Sequence, residues 1–297
     1  MPAPADQTPM IKASEAYLRG LNDLFEALKA KPTQPRDAVP YALFGRLLQV
    51  ARAILFGVTN GYAGEMKPLA RGLVSAAIAI KLISCEELRG QSGPEPMDLQ
   101  AEGDNRTNLQ KESDARALAY LAHVSTIRSR QNKGFLESGW MTEAQFDEVT
   151  KKAEADDAAS LAFYAEHGIK PSKLGKKTDT WHGLNDHDAA DKVGVPDWYD
   201  LYYRSFSEES HMSEPAVRTE LDRLTDTGKV VSGPQFDDPP VVLRAPVDAS
   251  SAAAMSLARQ LGFERTAQIS SLAKPAVEAM SAHLKSLDPA VARRLYT

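Results

Sequence analysis

Apolar residues recur every three to four positions along most of the chain, which is the spacing of one buried face of an α-helix. The pattern predicts helices over residues 11–31, 39–58, 62–88, 108–129, 142–167, 188–193, 198–211, 215–227, 250–263 and 269–287. The third of these is apolar on nearly all sides, so we expect it in the middle of a bundle. The turn Thr59-Asn60-Gly61 should make it antiparallel to the second helix.

The pattern contains at most one short extended segment. Val241-Val242-Leu243 is the only β-like run, and because prolines bound it we expect an extended connector. The sequence therefore predicts an all-α fold, a multi-helix bundle with additional N- and C-terminal helices. We divide it into an N-terminal tail and helix (1–38), a helical-bundle core domain (39–265) and a C-terminal helix packed on the core (266–297).

Composition narrows the class of protein. With 297 residues, 43% of them hydrophobic, the chain can bury a sizeable core. A formal net charge of -5 argues against a broad basic surface for nucleic acid. The single cysteine, Cys85, excludes a disulfide framework and a multi-cysteine metal site, and we expect it inside a core helix.

Neither membrane insertion nor secretion is expected. The most apolar segment, Leu69 to Cys85, is interrupted by Arg71 and Lys81 and is shorter than the roughly 20 residues that a bilayer requires. Residues 1–9 have no apolar stretch flanked by basic residues, so they do not form a secretory signal. The expected location is the cytoplasm.

The predicted helix 198–211 concentrates the chemistry of the chain. Arg204 and His211 are seven residues apart, so on an α-helix their side chains differ by only about 20° in projection. Asp200, Ser207 and Glu208 share this polar face. The opposite face is aromatic and should be buried; its residues are Tyr199, Tyr202 and Phe206.

Two interpretations of the polar face remain open. In the catalytic one, His211 transfers a proton near neutral pH and Arg204 binds a phosphate, while Tyr203 and Ser207 orient the substrate. In the other, the face is solvated and Arg204 only pairs with Asp200 or Glu208.

Other polar clusters carry weaker signals. A group that could hold a divalent metal is better explained as a loop in which Asp186 or Asp188 caps a helix; its members are His182, Asp186, His187, Asp188 and Asp191. We expect no metal and no cofactor. The chain has no Gly-rich phosphate loop and no nucleophile elbow, so nucleoside-triphosphate hydrolysis and acyl transfer have no support.

Two segments resemble a prokaryotic family of unknown function. Its members carry a Tyr-Arg…Ser…His signature late in an all-α domain, as Tyr203, Arg204, Ser207 and His211 do here. Residues 68–77 resemble the family's other recurrent segment, which makes Arg71 a candidate substrate-binding residue. An acidic residue often stands there where this chain has Ser75.

The signature is also similar to the Arg-x(4–6)-His motif of HEPN domains (higher eukaryote and prokaryote nucleotide-binding). That resemblance implies a metal-independent ribonuclease, the toxin or effector of a stress or antiphage defence system. It also implies a homodimer, an RNA substrate and an operon-encoded partner protein. The alternative is a catalytically inert helical protein whose Arg204/His211 face binds a partner or a nucleotide, and the acidic net charge mildly favours it.

Overall fold

The computed structural model describes residues 7–27, 32–88, 107–151, 181–182, 184–204, 206, 239–263 and 265–286. These residues form an all-α multi-helix bundle, and no β-strand occurs among them. The helices are α1 (Thr8–Ala27), α2 (Pro35–Thr59), α3 (Ala63–Ile83), α4 (Asn108–Glu137), α5 (143–151), α6 (Asp186–Lys192), a π-helix (Tyr199–Arg204), α7 (Pro239–Gln260) and α8 (Thr266–Ser286).

Helices α2, α3 and α7 form the centre of the bundle. Each packs along the other two, and α3 has the predicted near-continuous burial from Leu73 to Ile83, whereas its first half has an exposed side. Gly57 of α2 lies so close to Met66 of α3 that a Cβ there would collide with the methionine side chain. The predicted pairing of the second and third helices is therefore confirmed.

The terminal helices share this core. Helices α1 and α8 pack against each other, and α8 also packs on α7. A single cluster of buried apolar residues includes Leu21 of α1, Ile54 of α2 and Met280 of α8. The division at residues 38 and 265 stays a prediction.

A buried ion pair joins α2 to α4. The Arg36 and Asp114 side chains are each 1% exposed, and their Nη1 and Oδ2 atoms are 2.9 Å apart. The other Asp114 oxygen accepts the backbone N–H of Arg36 at 3.0 Å. Gln260 of α7 donates to the Arg36 carbonyl at 3.3 Å and to Ser113 Oγ at 3.1 Å. Three helices thus meet at one satisfied polar network.

Two local predictions are wrong. Val241 to Leu243 are helical, because Pro239 and Pro240 occupy the first positions of α7, where a missing N–H costs nothing. Cys85 is buried as expected but lies beyond the end of α3, with φ of 52° in a turn. Its φ is incompatible with the helix that was predicted to continue through it.

Of the described helices, only α2 is long and apolar enough to span a membrane by length and composition, and 44% of that stretch is buried inside the molecule. A helix at the centre of a bundle has the same length and composition.

Candidate functional site

A π-helix carries the sequence singled out for its chemistry. Residues 199–204 form this element, in which hydrogen bonds join residues five apart. Tyr202 within it and Phe206 just beyond it are buried, 4% and 2% exposed. The predicted burial of these two aromatics is confirmed, whereas Tyr199 is only partly buried against the core.

Tyr202 fixes the π-helix to α7. Its hydroxyl donates to Asp248 Oδ2 at 2.7 Å, and Arg244 Nε pairs with the other oxygen at 2.7 Å. Burial and the Asp248 carboxylate raise the pKa of Tyr202 far above its ordinary value, so the hydroxyl remains a donor. The carboxylate is thus held between a phenol and a guanidinium.

Tyr203 fixes the same element to α3. Arg71 Nη2 donates to the Tyr203 hydroxyl at 2.6 Å, and the Arg71 guanidinium carbon lies 4.2 Å from the centre of the ring. Burial and the Asp186 carboxylate raise the pKa of Tyr203, while Arg71 lowers it. The contact joins the segment 68–77 to the Tyr-Arg signature, although 132 residues separate the two side chains in sequence.

An aromatic ladder extends from this contact to α6. The rings of Tyr199 and Tyr203 are stacked, with centroids 5.5 Å apart and an angle of 16° between planes. His187 of α6 meets Tyr199 edge-on at 5.3 Å. The four-residue spacing of the two tyrosines is the sequence signal for the stack. Sequence analysis missed it, because Tyr199 was assigned to the buried face and Tyr203 to the substrate.

Arg204 lies at the end of the π-helix and extends into solvent. Its side chain is 66% exposed, and its Nη1 atom is 4.0 Å from Asp200 Oδ1. This is the ion pair that the non-catalytic interpretation predicts, in the weak, solvated form that contributes little to stability. The guanidinium remains accessible to a ligand.

Ser207 and His211 lie outside the described residues, and so does Glu208. The stacking of His211 above Arg204 therefore stays a prediction. Of the predicted site residues, the structure brings together Arg71 and Tyr203. It places Arg204 next to Tyr203 in the same element.

The His182 region borders the Tyr203 contact. His182 Nδ1 accepts the backbone N–H of Leu184 at 3.2 Å. Burial lowers the pKa of His182 to about 4; Asp186 opposes this fall, and His123 and Lys192 add to it. Within the described part of the chain, no three acidic, histidine or cysteine side chains are arranged to hold a metal ion.

Helix α6 begins differently from the prediction. Asn185 is its N-cap and accepts the backbone N–H of Asp188 at 2.8 Å, a role expected of Asp186 or Asp188. The Asp186 carboxylate raises the pKa of both Tyr203 and His182, so it lies near the two side chains. Sequence analysis did not find this proximity, since Asp186 and Tyr203 have no recognisable spacing.

The fold and the site define an all-α bundle protein in which a π-helix links α3, α6 and α7 at a surface rich in arginine and tyrosine. The model of a family of unknown function (DUF5677) matches residues 37–227, and the chain belongs to that family. The match includes both segments that meet at the Arg71–Tyr203 contact. No functionally curated protein and no solved structure matches the chain.

Proposed function

We propose that this protein is a metal-independent ribonuclease of the HEPN-like kind. The observation that carries the proposal is the 2.6 Å contact of Arg71 with Tyr203, which joins two sequence-distant signature segments beside the accessible guanidinium of Arg204. A π-helical turn is rare and occurs frequently at functional sites, and here it bears Tyr203 and Arg204.

The proposed chemistry is acid–base catalysis on a phosphodiester. His211 takes the proton of the 2′-hydroxyl and the 2′-oxygen attacks phosphorus. The bond from phosphorus to the 5′-oxygen of the next nucleotide breaks, that oxygen takes a proton from water, and His211 returns its proton to the solvent. Arg204 offers a planar set of donors to the charge that develops on the phosphoryl oxygens. The products are a 2′,3′-cyclic phosphate and a 5′-hydroxyl.

The resemblance to HEPN domains also suggests where the protein acts, how it assembles and what its biological role is. In it the protein is cytoplasmic and homodimeric, and it acts as the toxin or effector of a prokaryotic stress or antiphage defence system with an operon-encoded partner. Two subunits would bring two Arg204/His211 pairs together, which would offset the chain's net charge of -5 at one place.

A specific observation favours the second candidate function. Arg204 is exposed and already paired with Asp200, as a solvated helix face requires. An inert protein that uses this face to bind a partner subunit or a nucleotide would show the same geometry.

Expression of three proteins in a bacterial host separates the two candidates. They are the wild type, His211→Ala and the control Arg19→Ala. Arg19 lies on α1, is about as exposed as Arg204, and pairs with Glu15 in the same way that Arg204 pairs with Asp200. The ribonuclease proposal predicts degraded RNA and slow growth with the wild type and Arg19→Ala, but intact RNA with His211→Ala. Equal RNA integrity and growth in all three, with folded and abundant protein, would favour the inert candidate.

A further inference from the structure

Among the described residues, Arg71 differs from Arg36, Arg116 and Arg244 in that its guanidinium forms no ion pair with a carboxylate. The guanidinium groups of Arg36, Arg116 and Arg244 each lie within 2.9 Å of an aspartate or glutamate oxygen. Arg71 is part-buried, yet no carboxylate among the described residues forms an ion pair with it. A partly buried guanidinium that forms no direct ion pair with a described residue can bind an anion with its planar set of donors.

The Arg71 side chain is held in place by a neutral partner. One of its nitrogens donates to the Tyr203 hydroxyl, and the guanidinium lies over the same ring. Burial and the Asp186 carboxylate raise the pKa of that hydroxyl, so Tyr203 stays a neutral partner for Arg71. Tyr203 thereby fixes Arg71 without neutralising it, and a guanidinium has five N–H donors, most of which remain for a ligand.

The surface beside Arg71 is open. Gly72, the next residue of α3, is exposed, and a Cβ built on it would meet no atom within 4 Å. Pro68 and Leu69, one turn earlier, are exposed as well. An extended strand can therefore approach α3 closely at this point.

We propose that Arg71 binds a backbone phosphate of a single-stranded RNA, and that Tyr203 is a positioning residue for it. This assignment rests on the proposed function and specifies it: the scissile phosphate lies at Arg204, and Arg71 holds a neighbouring phosphate of the same strand. Planar bidentate donors suit that ligand, and a fixed guanidinium loses little entropy when it binds.

The test measures binding apart from cleavage, with a fluorescent oligonucleotide that is 2′-O-methylated throughout and cannot be cleaved by its own 2′-oxygen. For the wild-type protein, log Kd is measured against log salt concentration. Arg71→Ala should weaken binding about tenfold or more and reduce the salt slope by about 0.7, the value for one lost phosphate contact on a single strand. Arg19→Ala should change neither quantity.

Tyr203→Phe keeps the ring and removes the hydroxyl, so it tests positioning. It should weaken binding in the wild-type background and have no effect in the Arg71→Ala background, because its role is exercised through Arg71. Should Arg71→Ala fail to fold, Arg71→Lys replaces it: the charge is kept, so the slope should stay while the affinity falls.

Three results would overturn the assignment: no binding by the wild type, an unchanged slope in Arg71→Ala, or an equal effect of Tyr203→Phe in both backgrounds. Displacement of the oligonucleotide by inorganic phosphate as effectively as by unlabelled strand would reassign Arg71 to a free anion. A protein that shows the predicted slopes but does not cleave natural RNA would refute the ribonuclease proposal alone, whereas cleavage without these slopes would refute the assignment of Arg71 alone.

Discussion

Individual polar residues define both the interior and the candidate site of this bundle. Arg36 and Asp114 occupy core positions that hydrophobic periodicity assigns to apolar side chains, and each is satisfied by the other. Such pairs are invisible to sequence patterns because their partners come from distant segments. Their energetics follow from burial, since a charge that loses its partner inside a protein has no water to replace it.

Removal of Asp114 should therefore be costly. Asp114→Ala is expected to lower the free energy of unfolding by about 3 kcal/mol, because it removes the closer of two buried carboxylates that pair with the Arg36 guanidinium and also the acceptor for its backbone N–H, leaving Asp37 at 3.8 Å. Urea unfolding followed by circular dichroism measures the loss. The control is Glu15→Ala, which breaks the exposed pair with Arg19 and should cost less than about 1 kcal/mol. Equal losses in the two variants would contradict this account.

His182 should make stability depend on pH in the acid range. Its pKa of about 4 in the folded protein lies below its ordinary value of about 6.5, so the unfolded chain binds the proton first as pH falls. The stabilising effect of the neutral side chain is thus complete above about pH 6.5 and is lost as pH decreases toward 4.

His182→Asn tests this link, because the asparagine oxygen can still accept the Leu184 N–H but does not titrate. Unfolding free energies measured from pH 7 to pH 4.5 should fall less steeply in the variant than in the wild type. Parallel curves would show that His182 does not carry the dependence.

At the scale of elements, periodicity predicted most of the described helices and the pairing of the second with the third. At the start of α5, Thr142 and Gln145 have the spacing of a capping box, and both reciprocal hydrogen bonds are formed. Failures occurred where local chemistry has two solutions. Prolines beside Val241 fit the start of a helix as well as an extended connector. The turn at Cys85 has no sequence signal, because residues 82–88 contain no glycine, proline or asparagine. The contact of Arg71 with Tyr203 depends on how α3 and the π-helix pack, which no local pattern contains.

The exposed face of α3 provides a prediction at this scale. Gly72→Gln adds a helix-forming side chain where a Cβ meets open space. It should therefore leave the free energy of unfolding unchanged or raise it by up to about 1 kcal/mol, which thermal unfolding measures. The same side chain should hinder a strand that approaches Arg71, and oligonucleotide binding should weaken by at least threefold.

Gly45→Gln is the matched control, since Gly45 also lies within a helix, α2, and a Cβ added to it would likewise meet no atom within 4 Å. Gly45→Gln should be as stable as Gly72→Gln and should bind the oligonucleotide with the affinity of the wild type. Equal binding by the two variants would show that RNA does not pass over Gly72.

At the scale of the whole molecule, an acidic protein is proposed to act on a polyanion. Membership of a family of unknown function identifies related chains but does not identify a reaction. The net charge of -5 means that affinity for RNA must come from a few placed cations, and Arg71 and Arg204 are the ones that the site offers. The same charge limits non-specific binding to nucleic acid.

The rate of RNA cleavage by purified protein in the presence of EDTA tests the central claim most directly. The wild type and Arg19→Ala should cleave a mixed RNA pool and leave 2′,3′-cyclic phosphate ends, while Arg204→Ala and His211→Ala should be slower by about 100-fold or more. Intact RNA after incubation with folded wild-type protein, or cleavage by His211→Ala at the wild-type rate, would contradict the account.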